Sequence, residues 1–135
     1  MSIEIDHLGI AVTNLEESLR FYRDVLGLNV THQETIAVER VTVAMLPAGD
    51  GSAAPRLELL EATDSASTVA KFITRRGPGL HHVALRVDDL ASSVERLRSG
   101  GAKLLNEPRR GAGGHMYVFV HPESTGGILL ELIQK

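Results

Sequence analysis

The chain has 135 residues, of which 43% are hydrophobic and 23% charged, with no cysteine and a formal net charge of −3. Those values suit one folded domain of common size, and they exclude a disordered chain, a disulfide scaffold, a thiolate nucleophile and a sulfur-ligated zinc site. The 14 Lys and Arg are scattered, only Arg75-Arg76 and Arg109-Arg110 being adjacent, which argues against a nucleic-acid partner; no run of 18 apolar residues marks a membrane span, and Glu4 and Asp6 stand where a secretory signal would be basic, so a cytoplasmic location is expected.

Residues 3–12 alternate in the manner of a strand. Leu8, Ile10 and Val12 fall on one face, which is expected to pack under a helix, and His7, Gly9 and Ala11 on the other, where small neighbours leave room for a ligand. Asn14 with Glu17 three positions later forms a capping box that starts a helix over about Leu15–Val25, stopped by Gly27. Strands are expected at about 28–36 and 40–46, a small-residue loop at 48–55 and a fourth strand at 56–62. A linker helix within 65–76 carries Val69, Phe72 and Ile73 at helical spacing.

The stretch Gly79-Leu80-His81-His82-Val83-Ala84-Leu85-Arg86-Val87 then repeats the first strand. His82 stands 75 residues after His7, and the same offset places Val87 on Val12, Asp89 on Asn14 and Leu90 on Leu15. The rest follows the same order: strand 80–87, helix from Asp89 to about Ser99, and strands near 102–106, 115–121 and 127–133. The expected fold is therefore α+β, one domain over 1–135 built from two tandem βαβββ modules, 3–62 and 78–134, joined by the linker helix. Such modules can join their bare faces into a cup-shaped mixed sheet lined by the His7 and His82 faces.

Each module also places a Glu in its last strand, Glu58 between Leu57 and Leu59 and Glu131 between Leu130 and Leu132. A carboxylate in an apolar strand is costly to bury unless it is paired or metal-bound, and two His with two Glu suit a divalent cation with open positions. Taken singly, each Glu is as readily a solvated residue on an outer edge; recurrence at the equivalent place in both modules favours the ligand reading. His81 has the opposite parity from His82 and reads as structural, as does His121 before Pro122, while His32 and His115 read as surface residues.

The chain resembles the vicinal oxygen chelate superfamily and, within it, the methylmalonyl-CoA epimerase branch. The resemblance rests on Ile5–Val12, Phe21-Tyr22 with Leu26-Gly27, Asp64–Phe72, Gly79–Ala84 and His121–Leu132, of which the linker-helix and His-Pro…Ser-Thr-Gly-Gly segments are the specific ones. It implies metal ligation by His7, Glu58, His82 and Glu131, with cobalt first among ions that include manganese, nickel and zinc. It also implies an acyl-CoA thioester substrate, a homodimer, and C2 proton abstraction through a metal-stabilised enolate with Glu131 and Glu58 as catalytic carboxylates. The chain departs from the branch at two places: Val43 aligns with a position where some members carry a second Glu, and Glu123 stands where members often have Lys. Glyoxalase I, an extradiol-type dioxygenase and a metal-free binding protein are the alternatives, the last being least compatible with the four candidate ligands together.

Overall fold

The structure, a computed structural model, describes residues 2–135. It has the expected α+β class, with strands β1 (Ile3–Ala11), β2 (His32–Ile36), β3 (Val41–Pro47), β4 (Arg56–Ala62), β5 (Gly79–Val87), β6 (Arg109–Arg110), β7 (Met116–Val120) and β8 (Leu130–Gln134). The α-helices are α1 (Leu15–Leu19), α2 (Thr68–Arg76), α3 (Leu90–Ser99) and α4 (Pro122–Thr125). By internal contacts the residues form two compact units, His7–His81 in one, and His82–Lys135 with the residues before His7 in the other.

In the His7–His81 unit the strands run in the order β2-β3-β4-β1, with β1 parallel to β4 and the other neighbours antiparallel. One face packs Val12, Ala44, Leu46 and Leu59 against Leu15 and Leu19 of α1, with Ile10 and Tyr22 at the margin. On the other face α2 lays Val69, Phe72 and Ile73 over Ala11, Val41, Val43 and Leu60. The space expected beside Ala11 is thus filled by α2, and Ala11 is fully buried.

The expected first helix is α-helical only to Leu19 and then winds as a π-helix over Arg20–Val25, with the Leu26 amide donating to the Phe21 carbonyl at 2.8 Å. The wider winding shifts the phase of the apolar stripe, so Leu26 is turned outward while Tyr22 stays against the core. The second strand starts at His32 rather than 28, because Leu28 and Val30 pack into the α1 core instead of joining the ladder.

In the other unit the order is β5-β8-β7-β6, with β5 parallel to β8. Its core joins Val87, Leu90, Val94, Val118 and Leu132 under α3. Residues 102–106 do not form the expected strand: they make a single bridge between Leu104 and Val120, and the Asn106 side chain accepts from the Phe119 amide at 2.8 Å where a ladder carbonyl would. Pro108 has no N–H to give, and regular pairing resumes only at Arg109-Arg110. The last strand begins at Leu130, after α4 and a turn with Gly126 and Gly127 at φ of 84° and 114°. β1 begins in this unit, held by Arg86 on Glu4 at 2.5 Å and on Asp6 at 3.1 Å, and by Lys135 on Asp6 at 3.1 Å.

The internal repeat extends to the helix starts. Asn14 accepts from the Glu17 amide and Asp89 from the Ser92 amide, each three residues on. A second device recurs without any local sequence signal: the Leu15 amide donates to Glu61 and the Leu90 amide to Gln134, both at 2.6 Å, so the last strand of each module closes the first turn of its helix.

Candidate metal and active site

In β1 and β4 the parallel register sets Gly9 beside Glu58, and in β5 and β8 it sets Ala84 beside Glu131. Gly9 is two residues past His7 and Ala84 two past His82, so each Glu lies on the neighbouring parallel strand, one side-chain repeat beyond its own His and on the same face. His7 Nε2 is 3.5 Å from Glu58 Oε1, and His82 Nε2 is 3.3 Å from Glu131 Oε1. These four side chains are buried, at 3%, 6%, 5% and 8% exposure, so neither Glu is the solvated edge residue that the sequence left open.

Burying a carboxylate costs several kcal/mol unless charge or hydrogen bonds offset it. A neutral imidazole nitrogen and a carboxylate oxygen turned toward each other are the donors that a borderline divalent ion takes, and each unit supplies one such pair. The donor chemistry therefore fits a divalent metal. Around His82 the surroundings are aromatic, with Phe119 edge-on at 5.7 Å between ring centroids and Tyr117 against Phe119 at 5.6 Å. Phe119 is also the direct β-ladder neighbour of Glu131, a contribution that the sequence did not reveal because it depends on the β7–β8 register.

The remaining histidines sit largely as expected. His81 packs edge-on against Phe72 at 4.9 Å, and His121 Nδ1 accepts from the Glu123 amide at 2.9 Å as the cap of α4. His32 is exposed but has a partner, with Nε2 2.9 Å from Glu34 Oε1. Val43 is 1% exposed, within the cluster under α2. Glu123 is a surface residue 3.8 Å from Lys103. Of the two arginine pairs, Arg110 donates to the Gly114 carbonyl at 2.8 Å and Arg76 lies 5.9 Å over the Phe72 ring. Among the described residues no helix is long and apolar enough to cross a membrane.

Comparison with known proteins gives the site its context. Residues 6–119 match the sequence profile of the Glyoxalase/Bleomycin resistance protein/Dioxygenase superfamily. An ethylmalonyl-CoA/methylmalonyl-CoA epimerase of Cereibacter sphaeroides is 32% identical over 96% of this chain and 96% of its own length. A Streptomyces coelicolor methylmalonyl-CoA epimerase variant, solved with 2-nitronate-propionyl-CoA, superposes with a TM-score of 0.91 at 38% identity, over 97% of this chain and 96% of that one. A methylmalonyl-CoA epimerase solved with methylmalonyl-CoA and NH4+ superposes with a TM-score of 0.93 at 37% identity, over 100% of this chain and 96% of that one.

Proposed function

We propose a function from the premise that this chain belongs to the Glyoxalase/Bleomycin resistance protein/Dioxygenase superfamily: it is a metal-dependent epimerase that interconverts (2R)- and (2S)-methylmalonyl-CoA. Full-length likeness to epimerases at 37–38% identity, one of them solved with methylmalonyl-CoA itself, carries the reading. The two buried His–Glu pairs at equivalent positions support it, since the donors would otherwise be an unexplained cost in both modules.

In this reading residues 1–135 act as one catalytic domain, and His7, Glu58, His82 and Glu131 together hold one divalent ion, cobalt being the first candidate. When bound, the ion supplies a Lewis acid that lowers the cost of negative charge developing on the thioester oxygen as C2 is deprotonated. The protein's own residues supply the rest. Glu131, held beside His82 and walled by Phe119, takes the C2 proton, and the electron pair of the broken C–H bond moves into the thioester carbonyl. The enzyme is further proposed to be cytoplasmic and to work as a homodimer on a soluble acyl-CoA.

The test is metal content against turnover. The purified enzyme should hold about one divalent ion per chain, lose epimerase activity on dialysis against a strong chelator, and regain it with one equivalent of Co(II) or Mn(II). Full activity in metal-stripped protein would contradict the reading.

A further inference from the structure

A base that takes the proton from C2 lies next to whatever else C2 carries. On a malonyl thioester these are a carboxylate and a thioester carbonyl, whose oxygens need polar partners, and an alkyl group, which gains only from apolar contact. The apolar side chain beside the base therefore decides which alkyl groups fit.

Within the unit that holds residues 82–135, Glu131, His82 and Phe119 converge. Glu131 Oε1 is 3.3 Å from His82 Nε2, and the Phe119 ring stands edge-on to the same imidazole at 5.7 Å between centroids. Phe119 is also the ladder partner of Glu131, so the two side chains share a sheet face with Cβ atoms about 5 Å apart. Glu131 and His82 are buried and Phe119 is half-buried, so the ring presents apolar surface beside the carboxylate.

The register holds that ring from both sides. Ala84, Glu131 and Phe119 form one row across the sheet; His82 lies one side-chain repeat to one side of it and Tyr117 one repeat to the other. Tyr117 meets Phe119 edge-on at 5.6 Å and is itself buried, with its ring against Gly111, where even a Cβ would overlap it. Gly111 has an ordinary φ of −123°, so space rather than backbone conformation calls for glycine there. A ring packed in this way yields little to a larger ligand.

We propose that Phe119 sets the size of the C2 alkyl group that the enzyme accepts, an assignment that rests on the epimerase reading with Glu131 as base. A C2 within proton-transfer reach of the Glu131 carboxylate brings its alkyl group against the Phe119 ring. A methyl group meets the ring edge; a longer chain must displace a side chain held between His82 and Tyr117. Phe119 is then a specificity-determining residue that moves no proton.

The test compares methylmalonyl-CoA with butylmalonyl-CoA as substrates of metal-loaded enzyme. Affinities for 2-nitronate-propionyl-CoA and its 2-nitronate-hexanoyl homologue give a readout that needs no turnover. Methylene differences in an apolar site change kcat/KM by about 10–200-fold, so wild type should favour the methyl substrate and Phe119→Ala should raise the butyl-to-methyl ratio about tenfold or more. Phe119→Leu, which keeps an apolar side chain beside Glu131, should move the ratio the same way by less, and carries the test if the alanine variant does not fold. The nitronate affinity ratio should follow in both variants, with metal content per chain unchanged. Ratios that stay within about threefold of wild type while both substrates slow together mean that the ring only supports His82. That result, or wild-type enzyme that turns over both substrates equally well, overturns the assignment and leaves the epimerase reading intact. Wild-type enzyme that does not epimerise methylmalonyl-CoA overturns the epimerase reading and this assignment with it.

Discussion

Glu58 and Glu131 sit in leucine-rich strand sequences that give no sign of which way they point, since a strand with one solvated face reads the same. What made them legible was repetition: one carboxylate in an apolar strand has several explanations, but one in the last strand of each module, each paired with a histidine in the first, has few. The structure adds burial and 3.5 and 3.3 Å approaches to the histidines. The pairing of His32 with Glu34 was not legible, because two polar residues of one strand read alike whether or not their side chains meet. Gly111 was equally invisible. A Cβ built there would lie 2.7 Å from Tyr117 Cε1, and Tyr117 is itself buried and set edge-on to Phe119. Gly111→Ala should therefore push the Tyr117 ring off its place and destabilise the fold by about 1–3 kcal/mol. Denaturant unfolding with an unchanged m-value would measure it, and a change below a few tenths of a kcal/mol would show that the ring moves freely.

At the scale of elements, helix starts were the most legible feature and strand edges the least. Asn14 and Asp89 cap their helices as their spacing foretold, because the information is local. The failures came where tertiary contacts decide: the π-wound turn after Leu19, the strand lost at 102–106, and the Glu61 and Gln134 side chains that close the helix starts from another strand. The two caps differ in chemistry, and that difference has a measurable consequence. The hydroxyl of Ser92, with its amide, holds the Asp89 carboxyl below the ordinary carboxylate range, so the cap's contribution is fully present above about pH 4 and fades as pH falls through the depressed value. Asn14 cannot titrate. Amide exchange in the first turn of α3 should therefore accelerate in acid relative to the first turn after Asn14, and Asp89→Asn should abolish the difference. An unchanged acid response in that variant would place the effect elsewhere.

For the molecule as a whole, β1, α1, β2, β3 and β4 follow in the order expected of the first module, while in the second the strand expected at 102–106 gives way to Arg109-Arg110 and α4 comes between β7 and β8. The covering of the sheet face that carries His7 and Glu58 was less legible. Its Ala11 end is covered by α2, whose apolar stripe of Val69, Phe72 and Ile73 gave no indication from sequence alone of which sheet face it would choose. Within the superfamily, the choice between the epimerase proposed here and a glyoxalase turns on the substrate. The most direct measurement supplies metal-loaded enzyme with either (2S)-methylmalonyl-CoA or the methylglyoxal–glutathione hemithioacetal, in deuterated water, and follows both by NMR and mass spectrometry. The expected result is equilibration of the methylmalonyl-CoA epimers with deuterium at C2, loss of that turnover in Glu131→Gln, and no lactoylglutathione from the hemithioacetal. Lactoylglutathione formation with methylmalonyl-CoA left unexchanged would contradict the epimerase assignment and put a glyoxalase in its place.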